Sequence, residues 1–255
     1  MSVILDRQRQ FWNHFDNKFF DESSLGREDR ERGDVVLSLL RSLKLDKGSI
    51  FEVGCANGWF ARKLAAHGRV TGIDLADAAI EKARIACPTG TFIAGDLCSI
   101  QLPEKYDVAV TLETMAHVAS HSQFCARIRE ALKPGGHLLM TTQNRFVYDR
   151  KRPGVFKRMV NDSPDAVLAR YTTLAETRRL LAPHFRIKKL LTLHPNGDRG
   201  ILRITNSAKL NRLASLVIGR PWLHQPETVV RTRADDHSAG AGPLAGVKLE
   251  CPSRT

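Results

Sequence analysis

From about Gly33 the apolar residues Val35, Val36, Leu39, Leu40 and Leu43 recur at helical spacing. The period then shortens to that of a strand over 49–53, Ser-Ile-Phe-Glu-Val, which runs into a glycine turn. A helical stretch follows from Gly58 to about His67, then a strand over 69–73. Next comes a helix over 78–86, for which Asp77 is the expected N-cap. Short apolar runs at 91–93, 106–112 and 137–142 continue the series, with a helical segment over 121–132 before the last. Alternation of this kind predicts an α/β fold, an open and mostly parallel sheet with helices on both faces.

After Asn144 the rhythm breaks over a stretch rich in Arg, Lys, Pro and Asp. It resumes with a helix over 172–181, a strand over 185–193, a turn containing Asn196 and Gly197, and a strand over 199–205. Two strands joined by a short Asn-Gly loop predict an antiparallel hairpin at the sheet edge. Residues 210–218 read as a last helix. Beyond about Gln225 no periodicity is visible and a disordered tail is expected. At the other end of the chain Phe11, Trp12, Phe15 and Phe19 share one face of an N-terminal helix.

Composition narrows the class. A chain of 255 residues, 42% hydrophobic and 26% charged, is long enough for one α/β domain with a buried core. No apolar run approaches the roughly 18 residues that a bilayer span needs, and the first residues lack the apolar stretch of a signal peptide, so a cytoplasmic location is expected. Five cysteines, at 55, 87, 98, 125 and 251, form no C-x-x-C pair, which favours reduced thiols over a disulfide framework or a zinc site. The net charge of +12 is uneven. Acids and bases balance over 1–143, so the whole excess lies in 144–255. A basic half suits an anionic partner such as a phosphorylated substrate, a lipid surface or nucleic acid, and equally serves solubility.

The chemistry is concentrated at strand ends. Phe51-Glu52-Val53-Gly54-Cys55-Ala56-Asn57-Gly58 is a strand, a glycine turn and the opening of a helix, whose free N–H groups and bare backbone suit a close-lying ligand. It is not the G-x-G-x-x-G dinucleotide fingerprint, because Ala56 and Trp59 stand at the second and third glycine positions. Asp74 ends the second strand, where a carboxylate can accept both hydroxyls of a ribose. A third strand ends in Ala94-Gly95-Asp96-Leu97, placing another carboxylate at the same edge.

These motifs, with Leu132-Lys-Pro-Gly-Gly leading into the fifth strand, resemble those of class I S-adenosylmethionine-dependent methyltransferases over roughly 35–205. The segment 107–118, Asp-Val-Ala-Val-Thr-Leu-Glu-Thr-Met-Ala-His-Val, is most similar to the small-molecule branch that includes ubiquinone-pathway O-methyltransferases. The resemblance implies a Rossmann-like, seven-stranded sheet with S-adenosyl-L-methionine as cofactor. It places the methionine part against Glu52, Gly54, Cys55 and Gly58, and the ribose on Asp74. The adenine would lie between Leu75 and the Asp96–Leu97 turn, and the amino group near the backbone of Leu112 and Glu113. His117 is the candidate catalytic base, an imidazole titrating near working pH. The family's E-x-x-E-H metal motif is Glu113-Thr-Met-Ala116-His117 here, one carboxylate short, so no metal is expected.

The organisation implied is an N-terminal helical lid over 1–34, a methyltransferase domain over 35–207 with a basic insert at 145–170, and a C-terminal helix and tail over 208–255. Arg145, Arg150, Lys151, Arg152, Lys157 and Arg158 of the insert, and His194 and Arg199 of the hairpin, stand where they could meet an acceptor. The expected reaction is methylation of an oxygen, with nitrogen second, on a small molecule, for which an anionic or lipid-like acceptor and peripheral membrane contact would suit the basic half. A nucleic-acid methyltransferase is the main alternative. Against it, the chain has no N/D-P-P-Y/F run, no Pro-Cys nucleophile and no recognisable RNA-binding module. A non-catalytic cofactor-binding partner is the third reading; nothing in the sequence bears on oligomeric state.

Overall fold

Five parallel strands form the centre of the computed structural model, which describes residues 3–19, 25–145, 168–193 and 227–234. They are β1 (Gly48–Val53), β2 (Gly68–Asp74), β3 (Thr91–Ala94), β4 (Tyr106–Leu112) and β5 (Leu132–Gln143), in the order β3-β2-β1-β4-β5. The chain moves outward from β1 to β3 and then returns to the other side of β1 as β4. That reversal opens a crevice at the carboxyl ends of β1 and β4, the place where open α/β sheets bind ligands.

Period-two alternation in the strands explains why both faces are covered. Ile50, Val108 and Val110 pack into one apolar cluster with α2 (Arg27–Arg41), α3 (Ala61–Leu64) and α4 (Asp77–Ala86). Phe51, Val53 and Ala109 enter a second cluster on the opposite face with α5 (His121–Ala131) and α6 (Leu174–Leu181). At the amino ends, Asp107 Oδ2 accepts from Ser49 N at 2.8 Å and from Lys133 Nζ at 2.9 Å, tying β4 to both neighbours.

Several boundaries differ from the sequence reading. Helix α2 begins at Arg27 and runs unbroken across residue 34, because Gly33 lies in its interior, where a Cβ would stand only 3.0 Å from the Phe60 ring. A lid boundary at 34 therefore divides a helix. Helix α3 is a single turn rather than a run to His67. Strand β5 starts at Leu132, since its glycine-rich opening already pairs Leu132 with Tyr106 across a bulge. Asp77 does not cap α4. The cap residue is Ala76, and Asn13 Oδ1 of α1 (Val3–Phe19) accepts from Ala78 N at 3.0 Å, while Asp77 lies 3.8 Å from Arg9. A helix far away in sequence thus supplies the cap.

Beyond β5 two further strands complete the sheet order, β6 (Phe185–Leu193) at the edge and β7 (Glu227–Ala234) between β5 and β6, both pairings of β7 being antiparallel. The partner of β6 is therefore 227–234, within the region expected to be a disordered tail. The expected hairpin strand 199–205, the helix 210–218 and residues 235–255 lie outside the described residues. Cys55, Cys87, Cys98 and Cys125 form no disulfide with one another, and no helix among the described residues is long and apolar enough to cross a membrane.

Gly58 is structural. Its φ is +78°, and an added Cβ would lie 2.9 Å from the Ala83 Cα, so this glycine lets the turn after β1 press against α4. Gly58→Ala should lower stability by about 2 kcal/mol, from a left-handed backbone and a backbone clash together. Urea unfolding would measure it, and an unchanged midpoint would contradict this packing.

Candidate functional site

The crevice is a cavity of about 760 Å³ over the ends of β1, β2 and β4, roofed by Ile4, Leu5, Gln8, Trp12 and Phe15 of α1. Of the residues singled out in the sequence, Glu52, Gly54, Asp74, Leu75, Asp96, Leu97, Leu112, Glu113 and His117 all line it. Cys55 and Gly58 do not. Cys55 is buried behind the turn, its Sγ only 2.9 Å from where a Cβ on Gly72 would stand, and Gly58 faces α4.

The turn after β1 is held by its neighbours. Gly54 N and Cys55 N both donate to Ile73 O, at 2.8 and 3.1 Å. Gly54 has φ +76°, and a Cβ there would fall 2.1 Å from Thr114 Oγ1, which donates to Val53 O at 3.0 Å. Ala56, itself at φ +45°, donates its N–H to Asp74 Oδ2, and Ala76 N donates to Asp74 Oδ1, both at 2.9 Å. Asp74 thereby joins the first two turns.

Glu52 is 2% exposed, and its Oε2 has no hydrogen-bond partner among the described residues. Burial first, and then the charge of Asp74, hold its pKa well above the usual carboxylate range. Glu113 sits at φ +60°, its N–H on Thr141 O at 3.1 Å, with Oε1 3.5 Å from Arg32 Nε. Arg32, 9% exposed, also bonds Asp29 Oδ1 at 2.9 Å. Asp96 accepts from Ser99 Oγ at 2.9 Å. Five acids, Asp29, Glu52, Asp74, Asp96 and Glu113, thus face a cavity whose described lining contains Arg32 as its one lysine or arginine.

His117 closes a short 3-10 helix, Met115–His117. Its Nδ1 donates to Leu168 O at 2.7 Å, Trp12 meets its ring edge-on at 5.0 Å, and Gln8 Nε2 donates to its carbonyl at 3.1 Å. Burial lowers its pKa to about 4, only partly offset by the Leu168 bond. The expectation of titration near working pH is corrected accordingly: at neutral pH the ring is uncharged, with its lone pair on Nε2.

Arg32, Thr114 and Gln8 are not legible as site residues in the sequence. Arg32 leaves a trace, because it stands four residues before Val36 on the apolar face of α2. Thr114 and Gln8 leave none. Arg145 pairs with Glu176 at 2.8 Å on the surface, and the other insert residues, with His194 and Arg199, lie outside the described residues. Ala116 is fully buried, and no group of three or more metal-ligating side chains occurs among the described residues.

Residues 51–140 match the methyltransferase domain family. A ubiquinone biosynthesis O-methyltransferase of Idiomarina loihiensis is 34% identical over 105 residues, 38% of this chain and 43% of that protein. One from Hydrogenovibrio crunogenus is 29% identical over 142 residues, 52% and 59% respectively. The matched parts thus span less than two thirds of these curated relatives. Among solved structures, the N-methyltransferase NodS of Bradyrhizobium japonicum, in complex with S-adenosyl-L-homocysteine, has the same fold, with TM-score 0.63 and 19% identity over 90% of this chain and 99% of that one. Residues 51–140 thus form a methyltransferase domain, and the chain resembles the class I S-adenosylmethionine-dependent methyltransferases, the ubiquinone-pathway O-methyltransferases among them.

Proposed function

We propose that the protein transfers the methyl group of S-adenosyl-L-methionine to an oxygen, with nitrogen second, of a small-molecule acceptor. The observation that carries this reading is Glu52, a buried carboxylate with an unpartnered oxygen beside a second carboxylate, in a cavity lined by five acids. Such a wall is costly unless a cation enters, and a donor bearing a sulfonium and an ammonium supplies two positive charges. The residues present therefore fit that cofactor. When bound, it supplies an activated methyl group.

The chain's own residues have separate tasks. Asp74, fixed by Ala56 and Ala76, offers its carboxylate to ribose hydroxyls. Gly54 lets backbone approach the ligand where any side chain would strike Thr114. Leu75 and Leu97 wall an adenine, and Asp96 accepts from its amino group. Arg32, held by Glu113 and Asp29, meets the carboxylate of the amino-acid end. Helix α1 serves as the lid that excludes water, with Trp12 packed on His117. His117 Nε2 takes the proton from the methylated acceptor, whose oxygen becomes strongly acidic once it carries a third bond, so a base of low pKa suffices. No metal takes part, and activity should survive EDTA. The O-methyltransferase names of the relatives support oxygen as the target.

Incubation of the purified protein with methyl-labelled cofactor and a whole-cell extract should label a low-mass product; label found only in RNA or DNA would overturn the reading. His117→Gln should lower turnover about 100-fold with cofactor affinity unchanged. Because the native pKa of about 4 lies below the unfolded value, wild-type stability falls as pH drops from about 6.5 to 4, by about 1.4 kcal/mol per pH unit. The substitution should flatten that slope, which acid-dependent thermal unfolding would measure; an unchanged slope would place the ring in solvent.

A further inference from the structure

Gln143 lines the cavity, and its Oε1 is buried with no hydrogen-bond partner among the described residues. It is the last residue of β5, and period two puts it on the same face as Thr141, whose carbonyl and hydroxyl accept from Glu113 N at 3.1 and 3.2 Å. The next two residues fix its position. Asn144 bridges to Thr172, and Arg145 N donates to Thr172 O at 3.1 Å. The same strip of chain, 168–172, fixes the turn that bears His117. Arg170 N donates to Ala116 O and Leu168 O accepts from His117 Nδ1, both at 2.7 Å. Gln143 and His117 are therefore tied to one scaffold on the cavity wall.

A buried acceptor without a donor carries a desolvation penalty that a ligand's O–H or N–H relieves. We infer that Gln143 Oε1 receives a hydrogen bond from the methyl acceptor's own O–H or N–H, so that the acceptor is an alcohol, phenol or amine and not a carboxylate. This rests on the methyltransferase reading above and narrows its substrate class. A carboxylate has no proton to offer Gln143, and it would enter a cavity already carrying five acids. A hydroxyl or neutral amine donates a hydrogen bond to the carboxamide, which orients it and leaves a lone pair for attack, and gives its proton up to His117 Nε2 only once the methyl bond has formed. Gln143 is thus a specificity-determining residue, and the apolar side chains of Trp12, Phe15 and Phe124 on the cavity wall suit an aromatic or aliphatic body on that acceptor.

The test uses the full chain saturated with S-adenosyl-L-homocysteine and titrated by calorimetry with 4-butylphenol, 4-butylaniline, 4-butylanisole and 4-butylbenzoate. The phenol and the aniline should bind about tenfold or more tighter than the anisole, with the benzoate weakest. In Gln143→Leu that preference should fall below about threefold while homocysteine-product affinity stays within about twofold. Gln143→Glu, which keeps an oxygen acceptor in place, should restore it. Equal or undetectable affinity of the wild type for phenol and anisole, or a preference that survives Gln143→Leu, overturns the inference while leaving the cofactor site intact. Failure of the wild type to bind S-adenosyl-L-homocysteine at all takes down the methyltransferase reading and this inference with it.

Discussion

Gly54→Val is expected to abolish measurable binding of methyl donor and product, and to lower the unfolding temperature. The backbone at φ +76° costs an ordinary L-residue about 1–2 kcal/mol and a β-branched one more. The added Cβ would lie 2.1 Å from Thr114 Oγ1 and 2.8 Å from its Cγ2, so Thr114 must move and release Val53 O. Both consequences act on one turn, the one that also carries the Ala56–Asp74 bond. Binding within about threefold of wild type would show that this turn is not where the ligand lies. Gly54→Ala combined with Thr114→Ala removes the two nearest atoms and should recover part of the loss, which separates the clash from the backbone cost.

Glu52→Gln should move stability and affinity in opposite directions. In the free protein Glu52 is a carboxylate kept from water next to Asp74, so neutralising it should stabilise the fold by about 1 kcal/mol, or roughly 2–4 °C in a chain of this size. The same change removes a charge that a cationic ligand requires, and donor affinity should drop about 10- to 100-fold. The pH dependence comes from the sign of the shift. A carboxyl whose native pKa is raised contributes stability below the unfolded value, and that contribution is lost as pH rises through the raised native value. Free wild-type protein should therefore lose stability relative to Glu52→Gln on going from acid to neutral pH, while donor binding strengthens over the same range. Parallel thermal melts with and without ligand read both effects, and a variant that loses stability and affinity together would mean that Glu52 only braces the turn.

The residues legible in the sequence are those whose chemistry repeats at strand ends. Glu52, Gly54, Asp74 and Asp96 stand where a strand meets a turn, and spacing alone brings such positions to one edge of a parallel sheet. Long-range partners are different. Nothing local announces that Thr114 fills the space left by Gly54, that Asn13 caps α4, or that Arg32 reaches Glu113 from a helix that precedes the sheet. Gly58 misleads for the same reason: its positive φ fits a ligand loop, but the close neighbour is Ala83. The pairing of β7 with β5 and β6 is hidden because a strand inserted between two others by distant chain carries no turn signal. His117 is visible as a cavity residue from its place after β4, but its titration depends on burial beneath α1 and on Leu168, neither of which a sequence displays.

Isothermal titration of the wild-type chain with S-adenosyl-L-homocysteine, repeated with Asp74→Ala, bears most directly on the cavity as a nucleoside site. One saturable site is expected in the wild type, weakened about 10- to 100-fold by the substitution, since charge-assisted bonds to two hydroxyls are lost. No heat with folded wild-type protein, or the same affinity in both proteins, would contradict the placement of a nucleoside at Asp74.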